Sequence, residues 1–221
     1  MLHQHLKKIM TFPNAYEGLK KVFTAQILAL ISSGCYILGS IIAVIGGVTS
    51  SLSGLAGGGI FVLGGLVLSL LSLIFNLVGL SRASKDEPQF RTAFILSLIN
   101  LILGIVVSFI MALTVGSSST VSSLISEIFG ILIIKFVFGG IFSLAEKLGR
   151  QDMIEYGNKL LIFLYVVYGL SIVLYILQLI FNSSLRMMAT VSIMSLLSGI
   201  AAIVGYILYL IYLNRSKNML A

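Results

Sequence analysis

The chain has 221 residues, of which 58% are hydrophobic and only 10% are charged, and its mean hydropathy is +1.12. Because a soluble domain carries about a quarter charged residues, this composition excludes a water-soluble fold and predicts a surface that mostly faces lipid. The net charge of +7 comes from basic residues in short segments beside apolar runs. Anionic lipid headgroups explain such a charge, so the lipid bilayer is an expected partner and nucleic acid is not.

Six apolar runs are long enough, or nearly so, to cross a hydrocarbon core of about 30 Å as helices. They predict an all-α integral membrane protein that forms a six-span transmembrane helix bundle. In chain order the runs cover residues 24–48, 60–80, 92–115, 128–145, 160–181 and 191–213. The fourth run is the shortest, and it reaches an adequate length only if its helix begins near Val121.

The segments that connect the spans alternate in charge. Twelve of the 14 Lys and Arg residues lie in four segments, residues 1–23, 81–91, 146–159 and 214–221. Basic segments of membrane proteins stay in the cytoplasm, so the pattern predicts a transmembrane domain over 24–213 with a cytoplasmic N-terminal segment and tail. Because nothing in the sequence targets an organelle, we expect the plasma membrane of a bacterium. The alternation also divides the spans into three helical hairpins. An internal repeat would explain this pattern, and so would the regularity of any six-span bundle.

The first three spans carry a small-residue face and two isolated amides. Gly39, Ala43 and Gly47 recur at spacing four in the first span, a pattern that allows close helix packing. Asn76 lies in the second span and Asn100 in the third. In-span amides commonly hydrogen-bond between helices, so we favour a packing role for both over a ligand site.

The fourth span contains Lys135, an ionisable residue that is costly inside a membrane and therefore a functional-site hypothesis. Either it binds an anion or carries a proton, or it reaches the outer interface or pairs with a carboxylate; we favour the structural reading. Glu127 lies eight residues earlier, near the outer interface, where solvation is the simpler explanation. Because Asn100 and Lys135 lie at similar depth, contact between them is a hypothesis that a structure tests.

The last two spans hold Gln178, another amide at helical depth, and a second small-residue face that includes Ala201 and Gly205. Tyrosines also cluster in the inner halves of these spans. They line a polar cavity or form an interfacial aromatic belt, and the belt is the commoner arrangement. The tyrosines concerned are Tyr165, Tyr168, Tyr206, Tyr209 and Tyr212.

Motifs of catalysis and metal binding are missing from the sequence. The two histidines, His3 and His5, lie in the N-terminal segment, and Cys35 is the sole cysteine. Without a base beside the in-span serines, or a cluster of metal ligands, no catalytic residue, cofactor or metal is predicted. We therefore do not expect an enzyme.

The architecture resembles that of the membrane-embedded substrate-binding subunits of energy-coupling-factor vitamin transporters. The resemblance rests on six short-looped spans in 23.8 kDa and on the small-residue face of the first span. The chain is also similar to small multispan proteins of Gram-positive bacteria. Both resemblances cover architecture alone.

Two functions are expected from these features. The preferred one is a non-enzymatic accessory or interaction subunit, with a membrane protein partner or a second copy of the chain against the small-residue faces. The alternative is a small transporter or membrane-embedded substrate-binding subunit with a polar site around Lys135. A Lys135 side chain that faces a polar pocket supports the alternative, and one that faces lipid contradicts it.

Overall fold

The computed structural model describes residues 12–48, 52–113, 119–180 and 185–221, and within them the chain is helical. The six helices are α1 (Pro13–Val48), α2 (Leu52–Ala83), α3 (Pro88–Leu113), α4 (Ser119–Lys147), α5 (Gln151–Ile180) and α6 (Leu185–Leu220). Each contains a stretch long and apolar enough to cross a membrane. The predicted all-α membrane protein with a six-helix bundle is confirmed.

The helices follow one another around a closed ring. Each packs against the next in the chain, and α6 returns to pack against α1. The chain therefore forms three consecutive hairpins, α1–α2, α3–α4 and α5–α6; the internal repeat behind them remains a prediction. The fourth span reaches an adequate length because its apolar stretch covers Ser122–Lys147 and so begins close to Val121.

The hairpin of α1 and α2 is held together by small residues that recur every seven positions. A seven-residue repeat keeps one face of each helix on its partner, and small side chains let the two backbones approach closely. At one end, a Cβ atom added to Gly58 would lie 2.8 Å from the Gly39 carbonyl oxygen. In chain order, Gly18, Ala25, Ser32 and Gly39 of α1 face Gly79, Ser72, Gly65 and Gly58 of α2.

Two serines in this repeat also fasten the helices to one another. The Ser32 hydroxyl donates to the Gly65 carbonyl oxygen at 2.7 Å, and the Ser72 hydroxyl donates to the Ala25 carbonyl oxygen at 2.8 Å. Both serines are buried. In hydrocarbon such bonds have no water to compete with them, so the repeat fixes the register of the hairpin as well as its spacing.

The small-residue faces predicted from the sequence are occupied within the chain. Gly39 and Ala43 pack against Gly58 of α2, and a Cβ atom on Gly205 would lie 3.0 Å from Leu164 of α5. Ala201 is half-buried, and the surroundings of Gly47 lie outside the described residues. Gly39, Ala43 and Gly205 therefore pack within the bundle.

The most closely packed part of the bundle is the end formed by the α2–α3 and α4–α5 connections, the start of α1 and the end of α6, which we call the basic end. There Phe138 stacks on Tyr212 with ring centroids 4.7 Å apart and on Tyr209 at 5.8 Å. Tyr209 and Tyr212 are buried. The predicted interfacial belt is wrong for these two residues, because their rings fill the core.

Polar contacts at the basic end tie the connections together. Asp86, between α2 and α3, accepts from the Ala15 backbone amide at 2.7 Å and from the Asn14 side chain at 2.9 Å, and so caps the start of α1. The buried Glu87 carboxylate accepts from Lys147 and from Ser143, both at 2.7 Å.

Candidate functional site

The predicted polar site around Lys135 is not formed by the described residues. Lys135 is exposed on α4 and makes no hydrogen bond or ion pair with a described side chain. Its rotation about the helix explains this, because Glu127 and Ile134 share the inward face at a spacing of seven and Lys135 is turned from Ile134 by about 100°. The buried residues of α4, which begin at Val137, also lie on faces of the helix other than the one that carries Lys135.

Asn100 is separate from Lys135. It lies in a groove between α3 and α4 beside Gly104 and Ser122, and its side-chain oxygen is buried without a hydrogen-bond partner among the described residues. Asn76 is half-buried on α2 and likewise bonds no described side chain. Among the described residues, neither amide therefore makes the interhelical hydrogen bond that the sequence predicts for in-span amides.

Two other predicted residues, Glu127 and Gln178, line a pair of adjoining cavities between α4, α5 and α6. The inner cavity, nearer the basic end, has a volume of about 160 Å³, and the outer one about 380 Å³. Glu127, Ser171 and Ala202 line both cavities. The inner cavity is completed by Ile134, Leu164, Val167, Tyr168, Tyr206 and Tyr209. The outer one is completed by Leu174, Tyr175, Gln178, Ser195, Ser198 and Gly199.

The packing of α5 on α6 explains where the cavities form. The two helices meet in seven-residue steps, and at two of these steps a large residue fits a glycine: Tyr212 lies against Gly157, and Leu164 lies against Gly205. At the next step two small residues meet, and the hydroxyl oxygens of Ser171 and Ser198 lie 3.2 Å apart. Because neither serine fills the space, this level of the helix pair is left open toward α4.

Glu127 is the charged residue of this site. Six of the seven acidic residues lie in or beside the basic segments, and Glu127 is the exception. It is half-buried, five residues inside the apolar stretch of α4 that begins at Ser122. Among the described residues no cation or hydrogen-bond donor pairs with its carboxylate. A carboxylate without a partner at this depth is costly, which makes Glu127 a stronger site residue than Lys135.

Tyrosine side chains surround the inner side of Glu127. Gly130 makes room for one of them, since a Cβ atom there would lie 3.4 Å from the Tyr168 ring. The Tyr206 hydroxyl donates to Gln26 of α1, 2.6 Å from its backbone carbonyl oxygen and 3.0 Å from its side-chain oxygen. This bond holds the Tyr206 ring at the wall of the cavity. The outer cavity has amide and hydroxyl groups instead, with the Gln178 amide 3.4 Å from the Ser195 hydroxyl.

The sequence pointed to Glu127 and Gln178, and it left open that the late tyrosines line a polar cavity, as Tyr168, Tyr206 and Tyr209 do here. It did not connect those tyrosines to Glu127, and it did not identify Ser171 or Ser198 as site residues. The available signal was the isolation of Glu127 from every other acidic residue. In the described part of the chain, no three His, Cys, Asp or Glu side chains come together as metal ligands would. The chain matches no protein-family model, no curated protein and no solved structure.

Proposed function

We propose that this multi-pass membrane protein is non-enzymatic and binds a small molecule in the cavities between α4, α5 and α6, as a transporter or a substrate-binding membrane subunit does. The site that the sequence predicts around Lys135 does not support it, because that side chain is exposed and lines neither cavity. The half-buried Glu127 carboxylate, which has no partner among the described residues, is the observation that carries the proposal. Apolar walls with a few convergent polar groups are typical of small-molecule sites. Here Leu164 and Leu174 provide such walls, while Ser171 and Gln178 provide hydrogen-bonding groups.

The accessory or interaction subunit, which is the function that the sequence favours, has less support. It rested on the small-residue faces, and Gly39, Ala43 and Gly205 pack against helices of the same chain. The two cavities, by contrast, are not filled by any described side chain. For the orientation, we propose that the basic end faces the cytoplasm of a bacterial cell, because the Lys and Arg residues concentrate there.

Native mass spectrometry of the protein purified in a mild detergent tests the proposal. We expect a small-molecule adduct on the wild type that is lost in Ala202→Phe, since Ala202 lines both cavities and a phenyl group would fill them. The matched control is Ile203→Phe on the neighbouring residue, which is 60% exposed on the outside of α6 and should leave the adduct in place. A wild type without an adduct, or an adduct that survives Ala202→Phe, would contradict the proposal.

A further inference from the structure

The charge of the cavity indicates what kind of ligand it accepts, an inference that rests on the function proposed above. Glu127 supplies an acidic group, and within the described residues no lysine or arginine side chain lines either cavity. An ionised carboxylate in a poorly solvated site gains most from a ligand that brings its own positive charge, because opposite charges attract more strongly where water is excluded.

The aromatic walls select for the same charge. A cation over the face of a tyrosine ring is attracted by the electrons of the ring, and this attraction grows when water is excluded. Tyr168, Tyr206 and Tyr209 line the inner cavity, and Tyr175 lines the outer one. The chain uses this contact elsewhere, since Lys217 lies 4.8 Å from the centre of the Phe23 ring and Arg215 lies 5.1 Å from that of Tyr156.

The size and polarity of the two cavities narrow the ligand further. The inner cavity of about 160 Å³ has mostly apolar and aromatic walls, whereas the outer one of about 380 Å³ offers the Gln178 amide and the Ser195 and Ser198 hydroxyls. Glu127 lies between them because it lines both. We propose that the cavities bind a small organic cation, an amine or quaternary ammonium compound whose charged group contacts Glu127 and whose apolar part occupies the inner cavity.

Binding of benzyltrimethylammonium, compared with its uncharged carbon analogue 2,2-dimethylpropylbenzene, tests this inference. The two compounds have the same shape and differ in charge. We expect the wild type in detergent to bind the cation at least about tenfold more tightly than the analogue, measured by equilibrium dialysis. Glu127→Gln should reduce that preference to the smaller part that the tyrosine rings contribute and leave binding of the analogue unchanged. Glu146→Gln, an exposed carboxylate at the basic end, is the matched control and should behave as the wild type.

Tyr168→Leu provides a second variant, in case the Glu127→Gln substitution disturbs folding. Loss of the ring face should weaken binding of the cation several-fold and change binding of the analogue much less. Equal binding of both compounds to the wild type, abolished by Ala202→Phe, would overturn the inference and leave the proposed small-molecule site intact. If neither compound binds, the inference is wrong. The proposed small-molecule site is then judged separately, by whether Ala202→Phe removes the adduct seen in native mass spectrometry.

Discussion

The Glu87 carboxylate is buried at the basic end, where Lys147 and Ser143 donate hydrogen bonds to it. Burial by itself raises the pKa of Glu87, but the bonds from Lys147 and Ser143 outweigh it and hold the pKa below its ordinary value of 4.5. Because the pKa is lower in the folded protein, the charged carboxylate stabilises the fold above that value. This contribution is lost as the pH falls through the folded-state pKa.

Lys147→Ala should therefore destabilise the protein in a pH-dependent way. Near pH 7 we expect a loss of about 1 kcal/mol in the free energy of unfolding, because a buried carboxylate loses one of its donors. Near pH 3 the difference from the wild type should be smaller, because below pH 4.5 the unfolded chain takes up a proton on this carboxyl before the folded protein does, which removes part of the contribution. Thermal unfolding in detergent at both pH values measures this. Lys159→Ala removes an exposed lysine and is the control, which should give the same small change at both pH values. An effect of Lys147→Ala that does not depend on pH would contradict the prediction.

Two tyrosines of α6 should respond differently to loss of the hydroxyl group. The Tyr206 hydroxyl donates to Gln26, whereas the Tyr212 hydroxyl is buried with no partner among the described residues; the nearby Ser216 hydroxyl donates to the Tyr212 backbone carbonyl instead. We expect Tyr206→Phe to lower the free energy of unfolding by about 1 kcal/mol and Tyr212→Phe to leave it unchanged or raise it. Equal losses in both variants, in thermal or denaturant unfolding, would argue against this reading of α6.

At the scale of single residues, the sequence identified which side chains are unusual but not where they point. Lys135 and Glu127 both stand out as charges within an apolar span. Because α4 is apolar on nearly every side, the sequence has no polar face that fixes its rotation, and the inward direction is decided by packing against α5 and α6. Glu127 is therefore directed at the cavities and Lys135 away from them, an outcome that needed the tertiary structure.

The element that the sequence encodes most fully is the α1–α2 hairpin. The spacing of four between Gly39 and Ala43 pointed to a packed face, but the longer pattern of small residues every seven positions was missed. That pattern is present in the sequence of both helices, and an antiparallel pairing of the two repeats gives the observed contacts between Ser32 and Gly65 and between Ser72 and Ala25. The sequence could thus have predicted this register, whereas the packing of α3 on α4 has no comparable repeat.

Neighbouring glycines of α2 test the hairpin repeat. A Cβ atom at Gly58 would meet the Gly39 carbonyl oxygen at 2.8 Å and the Ala43 Cβ atom at 2.9 Å, but one at Gly59 would meet nothing within 4 Å. Gly58→Ala should force the helices apart and lower the free energy of unfolding by about 1–3 kcal/mol. Gly59→Ala should leave it unchanged or raise it by up to about 1 kcal/mol, because alanine favours a helix. Similar effects of both substitutions would show that α1 and α2 do not pack in this register.

Across the whole molecule, packing and charge are concentrated at the same end. The largest fully buried side chains lie near the basic end, among them Phe90, Phe138 and Tyr212. Farther from that end, the described residues of α1 and α2 bury little apart from the small residues that they pack against each other. The cavities lie between the core and the opposite end. A ligand that enters from the end opposite the basic end would therefore meet the outer cavity before the aromatic core. The orientation of the protein decides whether that end faces the cytoplasm or the cell exterior.

Cysteine labelling in intact cells tests the orientation. In a Cys35→Ser background, Gln151→Cys places a thiol in an exposed position at the basic end without removing a charge, and Ser117→Cys and Ser183→Cys place one in the two connections poor in basic residues. Since basic connections stay in the cytoplasm, a membrane-impermeant maleimide should label positions 117 and 183 in intact cells and position 151 only after permeabilisation. The reverse pattern would invert the orientation and make the outer cavity accessible from the cytoplasm, so that the organic cation would be captured from inside the cell.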